Sequence, residues 1–387
     1  MGGLPSGEWD HALRAAILRV RNRRYPLFWA ARGDLRGRGK ELCESRKGLI
    51  VPISDADTFF VKLVEQVETL AQSKRQNPVG VDMLVSRAKR YLAKPEHRIQ
   101  LSDLISDEVE CITERLDQDD MGTRGNMTPE EFQRRIAVYE GATEGLSKVC
   151  GLVGRWGDQE NIEQVIEGIT ALVDHAESER SGLRSFLEVR GYPAVLAYQG
   201  AALGLMKSSN WQGFRNLLLS EVDTGRPQPE SMFSAVSPMQ WKGGDRDRWN
   251  NYYGTGQNLF VPMIDRLHDE IFASWGKSFM SSMGGFTTAF LLSEMLTAFF
   301  HCEGMDKEEF KRRSVDAQER NNGFVWMPIG RACWDRTYQE RVLPKFENEN
   351  FKKELLNAGF LKGEAGYLDL AVKNYTACVE KSRWWYR

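Results

Sequence analysis

The chain contains no Cys-x-x-Cys pair. Its six cysteines stand at positions 43, 111, 150, 302, 333 and 378, too scattered for the close ligand pairs of a structural zinc site or a thioredoxin-type redox motif. His301-Cys302 is the one neighbouring pair of nitrogen and sulfur ligands, and an isolated cysteine is more often a small buried residue than a ligand, so no metal is expected. Charge of one sign is missing too: 52 basic against 54 acidic side chains give a formal net charge of −2, which supplies no global field for a polyanion or a membrane surface. Long hydrophobic runs are absent. The longest, Pro193 to Met206 and Phe286 to Phe300, fall short of the roughly 20 residues that span a bilayer, and Glu294 interrupts the second, so both are expected as buried helices. No secretory apolar region opens the sequence, and with scattered cysteines this fits a reducing cytoplasm. No repeat of fixed period is present. No Ser-His-Asp, Cys-His or paired-carboxylate motif has a recognisable local context, so any such group must assemble from distant positions.

What is there suits two or three globular domains, with 41% hydrophobic residues in 387. Trp9, Leu13, Ala16, Ile17 and Val20 recur at helical spacing behind Ser6, which is placed to cap the first turn. Tyr25 to Ala31 and Gly48 to Ile53 are short, continuously apolar runs, the pattern of parallel strands covered on both faces. After the second, Ser54 and Asp57 stand in a capping-box-like relation to a stripe formed by Phe59, Phe60, Leu63, Val64, Val67 and Leu70. The order is helix, strand, helix, strand, helix. Two parallel strands alone leave their edges and faces uncovered. The opening Gly2-Gly3-Leu4-Pro5-Ser6 reads as the loop after a strand that precedes this chain, so a truncation or a late start site is expected.

From residue 73 to 126 the pattern turns polar, with short helical pieces and an acidic stretch from Glu114 to Asp120, and predicts a linker or small helical subdomain. Thr128-Pro129-Glu130-Glu131 then announces a helix: a capping hydroxyl, proline at the first helical position and acids at the positive helix end. Further helices are predicted over Asn161 to Glu179, Pro193 to Met206, Trp211 to Leu219, Leu259 to Trp275, Phe286 to His301, Lys307 to Asn321, Phe351 to Gly359 and around Leu368 to Lys381, with a break at Arg226-Pro227-Gln228-Pro229. The domains expected are therefore 1–72, 73–126 and 127–387, the last mostly helical.

Three segments, Ser-Gly-Glu-Trp-Asp-His-Ala-Leu-Arg (6 to 14), Tyr-Pro-Leu-Phe-Trp (25 to 29) and Ile-Ser-Asp-Ala-Asp-Thr-Phe-Phe (53 to 60), occur in an order that resembles the end of a sirtuin-like domain. The helical remainder, with Tyr192 to Tyr198 and Asn258 to Pro262, is similar to regions that follow such domains in bacterial anti-phage proteins. The resemblance implies the α/β remnant of a Rossmann-like sirtuin domain followed by a large, mostly α-helical domain. It also implies NAD as substrate, hydrolysed during infection so that NAD depletion stops phage replication. The family's Gly-rich phosphate turn, asparagine and histidine base have no counterpart in this chain, so no catalytic residue is carried over. What the resemblance leaves is the adenosine side of the pocket: Gly3 and Ser6 in the loop entering the first helix, and Asp55, Ala56 and Asp57 after the last strand. Loops at the carboxyl edge of such a sheet are where nucleotides dock, and carboxylates or hydroxyls accept ribose protons there. Helix capping by Ser54 and Asp57, and a plain turn at Gly3, are the alternative readings.

Other features admit a bland reading beside a functional one. Eleven basic residues lie between Arg14 and Lys47 against three acids, a phosphate-contacting surface or simply a solvated face. The tail from Lys381 to Arg387 mixes cations with Trp384, Trp385 and Tyr386, suited to stacking on nucleic acid or to docking on its own domain. Trp241, Trp249, Tyr252 and Tyr253 flank a Gly- and charge-rich loop that either receives a ligand or packs. His11 sits in the helix beside the adenosine loop, where its charge either tunes a nucleotide or faces solvent. Two functions follow: an NAD-hydrolysing effector whose helical domain is a sensor or oligomerisation module, or a non-enzymatic helical module binding a phage or defence protein. The partners expected are a second copy of the chain or such a protein, with nucleic acid a weaker candidate and no membrane.

Overall fold

The computed structural model describes the backbone of 28–32 and 49–53, and residues 80–179, 181–252, 258–280, 282–319 and 324–384. The chain divides into two units, Met1–Pro78 and Val79–Arg387. In the first, β1 (Phe28–Arg32) pairs parallel with β2 (Leu49–Ile53), in register from Phe28 against Leu49 to Arg32 against Ile53. Both strands fall on the two continuously apolar runs, and parallel pairing of successive strands requires a crossover connection. The helices expected over residues 7–20 and after Ser54, the basic stretch, His11, and the candidate adenosine residues Gly3, Ser6, Asp55, Ala56 and Asp57 lie outside the described residues.

The second unit is helical. Its segment 81–116, expected as part of a linker or small subdomain, forms α1 (Val81–Leu92) and α2 (Arg98–Leu116), which pack on the helices that follow and put Leu84, Leu101, Leu104 and Ile105 into one shared core. α3 (Pro129–Trp156) starts where capping chemistry places it: the Thr128 hydroxyl accepts from the Glu131 amide at 3.3 Å and Pro129 takes the first helical position. α4 (Gln159–Ser178) opens with a reciprocal capping box between Asp158 and Asn161. After α5 (Arg184–Val189), α6 (Tyr192–Ser208) is apolar all round and buried from Tyr192 to Met206, the pattern of a helix at the centre of a bundle. α7 (Trp211–Leu219) follows an Asn210 cap. The short antiparallel pair β3 (Glu221–Val222) and β4 (Glu230–Ser231) brackets the Pro-rich break, and strands of two residues are too short to leave a periodic signal. Then come α8 (Met232–Val236), α9 (Arg246–Tyr252), α10 (Pro262–Arg266), α11 (Met283–Cys302), α12 (Lys307–Glu319), α13 (Glu349–Asn357) and α14 (Ala365–Trp384). The region expected as one helix over 259–275 is three pieces. Pro262 sets the start of α10, a π-helical turn takes Leu267–Phe272, and a single α-turn ends at Trp275.

α3 and α6 meet along a seam of small residues. Ser147, Gly151 and Gly154 on one face Gly200, Ala201 and Gly204 on the other, so close that a Cβ on Gly154 would lie 2.6 Å from the Ala201 carbonyl oxygen. A Cβ on Gly204 would press still harder on the Gly151 carbonyl, and a backbone oxygen in a helix yields only if the helices part. Gly204→Ala is therefore expected to cost about 3 kcal/mol by overpacking. Gly141, on the exposed face of α3, is the control: a methyl group added there would have nothing within 4 Å, so Gly141→Ala should gain roughly 0.5–1 kcal/mol from helix propensity. Urea unfolding of the two variants checks the opposite signs.

Candidate functional site

A buried polar constellation in the helical unit grows from α10 and the π-helical turn. Asp265 and Asp269 are four apart and share a face, and that face receives Arg331 from an irregular segment far along the chain. Arg331 is 3% exposed; its Nη1 donates to Asp265 Oδ1 at 2.8 Å and to Asp269 Oδ2 at 2.9 Å, and its guanidinium lies 4.2 Å from the centre of the Trp334 ring. Asp335 completes the surround at 3.8 Å. π-helical turns are rare and concentrate at functional sites, because the extra residue per turn re-aims side chains that a regular helix would stack. Here the turn delivers His268 and Asp269 together to the same region.

His268 is buried between the rings of Phe286 and Phe290 on α11, with centroid distances of 4.8 and 5.1 Å. Its two nitrogens have separate partners: Nδ1 lies 2.6 Å from Asp269 Oδ1 and Nε2 lies 3.2 Å from the hydroxyl of Thr287. Burial, reinforced by the nearby Arg331 charge, holds the His268 ring below the ordinary histidine value even though Asp269 pulls the other way, so the neutral imidazole is the form present at neutral pH. For Asp269 burial pushes upward, but the hydrogen bonds from His268 and Arg331 outweigh it and keep the carboxyl below its usual range. Asp265 goes the other way: burial raises it to about 6, against Arg331 and with Asp269 and Asp335 adding repulsion. A hydroxyl, a neutral imidazole and an ionised carboxylate in line are the parts of a proton relay.

Glu294 lies further along α11, inside the second of the long apolar runs. Its carboxyl oxygens accept from the Arg331 backbone amide at 3.1 and 3.3 Å, and a Cβ on Gly330 would overlap the carboxyl group, so this approach depends on glycine there. Burial pushes Glu294 up to about 8 against the Arg331 charge and amide, with Asp265 and Asp335 adding to the rise. Beside it, a cavity of about 20 Å³ between α6 and α11 is lined by Tyr198, Gln199, Ile264, Phe290, Glu294 and Thr297, enough for one water-sized molecule.

Sequence reasoning misses this assembly. His268-Asp269 sits inside a predicted amphipathic helix with nothing to single it out, and Thr287 and Arg331 arrive from 19 and 62 residues away. The visible signal is Glu294, a carboxylate in an otherwise apolar helix, which burial makes costly unless it is neutral or partnered. The aromatic loop proves to be packing where it is described: Trp249 is fully buried with its Nε1 donating to the Gly243 carbonyl at 2.9 Å, and Trp241 stacks on Tyr192 at 5.6 Å, while Tyr253 lies outside the described residues. His301 is packed between Phe233 and Trp326, and burial pushes the Cys302 thiol to about 12, far from a ready thiolate ligand. Among the described residues no group of three or more His, Cys, Asp or Glu side chains is placed to hold a metal ion, and no helix is long and apolar enough to cross a membrane. No family model matches the chain, and neither a curated protein nor a solved structure matches it.

Proposed function

We propose that the chain is the rear portion of a sirtuin-like, NAD-handling bacterial defence protein, in which a Rossmann-like α/β remnant precedes a helical domain that serves as sensor or oligomerisation module. The observation that carries this reading is the parallel pairing of β1 and β2. Successive strands that run parallel belong to a crossover architecture, and such sheets present nucleotides to the loops at their carboxyl ends. Asp55, Ala56 and Asp57 follow Ile53, the last residue of β2, almost directly. Pro52 has no amide hydrogen, which suits β2 to a sheet edge. Free cysteines at 111, 150, 302 and 378 agree with a reducing compartment, where the NAD pool lies.

The test is calorimetric titration of the chain with NAD and with ADP-ribose, with nicotinamide release followed in parallel. Binding without release is the expected result, weakened about tenfold or more by Asp55→Asn with Asp57→Asn, since a hydrogen bond to a charged group is worth roughly 1.5–3 kcal/mol. Nicotinamide release would overturn the absence of a catalytic set. Neither binding nor release would favour the second reading, a non-enzymatic module for a phage or defence protein. That reading draws on Trp326 and Trp334, which are 59% and 45% exposed, because exposed indoles are the side chains most often used as interface anchors.

A further inference from the structure

We propose that Thr287, His268 and Asp269 form an acyl-accepting relay in the helical unit, acting on small carboxylic esters. Nucleophile, base and orienting group stand in sequence at hydrogen-bond distances: 3.2 Å from the Thr287 hydroxyl to His268 Nε2, and 2.6 Å from His268 Nδ1 to Asp269 Oδ1. Each member is held by something outside the relay. Arg331 Nη1 takes the other carboxylate oxygen of Asp269 at 2.9 Å, so Oδ1 is left to the imidazole. Phe286 and Phe290 clamp the ring, and the π-helical turn aims it at α11. Thr287 itself is half-buried rather than sealed. It sits in the second turn of α11. With His268 only 7% exposed behind the two phenylalanine rings, a carbonyl must be offered from the Thr287 side, which favours a short acyl group.

In the first step the Thr287 hydroxyl oxygen attacks the ester carbonyl carbon and its proton passes to His268 Nε2. The carbon–alkoxide bond then breaks, and the imidazolium returns that proton to the departing alcohol oxygen. The result is an acyl-threonine and a free alcohol, with no oxidant or reductant required. Water, deprotonated by His268, attacks the acyl-threonine to release the carboxylic acid and restore the hydroxyl. Thr287 and His268 are the catalytic residues; Asp269 is a positioning residue that holds the Nδ1 proton and so leaves Nε2 as the acceptor. The relay requires nothing of the strand pair.

The test incubates the full chain with p-nitrophenyl acetate and follows p-nitrophenolate release and the mass of the protein. An initial burst with one acetyl group mapped to Thr287 is expected, retained in Thr287→Ser and lost in the near-isosteric Thr287→Val. His268→Gln should slow acylation about 100-fold, the usual contribution of a general base. Asp269→Asn should slow it and displace the pH profile, which a purely structural role would leave in place. In the native chain the rate should rise through a midpoint below the ordinary histidine value. That profile reflects the groups facing His268: Asp269 on its own turn, Asp265 from α10, Thr287 from α11, and Arg331 and Asp335 from the segment packed across them. Absence of acetylation in the wild-type chain, or equal acetylation of Thr287→Val with an unchanged melting curve, would sink the proposal. So would an acetyl group mapped only to lysine.

Discussion

Glu294→Gln is expected to remove most of the pH dependence of stability above neutrality. In the native chain the Glu294 carboxyl is raised from 4.5 to about 8 by burial. Between those values the folded state holds a proton that the unfolded chain has released. Its contribution to stability is therefore complete below the unfolded value and is lost as pH rises toward the folded one, by about 1.4 kcal/mol per pH unit and about 5 kcal/mol in all. Two neighbours act in other windows. Asp265, raised to about 6, loses stability in the same sense but finishes earlier. His268, held below its ordinary value, has the opposite sign and gains stability as the unfolded histidine deprotonates. Glu108, raised to about 7 by burial, loses stability over the lower part of the same range in both proteins, so Glu294 is read by urea unfolding as a difference: between about pH 6.5 and 8 the wild-type chain should lose about 2 kcal/mol more than the glutamine variant. A glutamine carbonyl still accepts from the Arg331 amide, so the variant keeps the local geometry and should be the more stable protein at the alkaline end. Equal slopes in the two proteins would mean that Glu294 is already ionised in the fold.

The parts of this fold that are legible in the sequence are those written in local chemistry. Thr128-Pro129 marks the start of α3 because a capping hydroxyl and a residue without an amide hydrogen both belong at a helix N-terminus. The limits of α7 coincide with the predicted Trp211 to Leu219 because Asn210 caps one end and the apolar stripe stops at the other. The two parallel strands are marked by continuous apolarity. Legibility ends where geometry depends on a distant segment. Periodicity reads 259–275 as one helix, since a π-turn changes the residue count per turn without changing which residues are apolar. Arg331, around which the charged cluster is organised, lies on an irregular segment, and no local rule connects it to Asp265, Asp269 and Glu294. The residues singled out for the nucleotide, Gly3, Ser6, Asp55, Ala56 and Asp57, rest on resemblance and lie outside the described residues, so the titration with NAD is what decides them.

The second large effect concerns the face of α10 that turns away from the cluster. Arg266 reaches α3, where Nε and Nη2 donate to the two carboxylate oxygens of Glu140 at 2.8 and 2.7 Å, and the Tyr192 hydroxyl joins the same carboxylate at 3.1 Å. Both partners are largely buried, with side chains 11% and 10% exposed. Two ions taken out of water offset their desolvation only while paired, so removing one leaves the other stranded. Glu140→Leu and Arg266→Met should each cost about 3–5 kcal/mol. The double variant should cost much less than their sum, because an apolar pair of similar volume carries no desolvation penalty, giving a coupling energy of about 2 kcal/mol or more. Additive losses would show that the two residues act through separate contacts, Arg266 through Glu270 and Glu140 through Tyr192. The double variant also separates stability from position. Arg266 is the residue before the π-helical turn, and its bidentate grip on α3 fixes the angle at which His268 and Asp269 meet α11. A stable double variant should therefore acetylate at Thr287 more slowly than the wild-type chain, since an apolar pair restores burial but not the directional hydrogen bonds that set the register. Unchanged acetylation in that variant would place the aiming of His268 in the Phe286 and Phe290 clamp and in Arg331 alone.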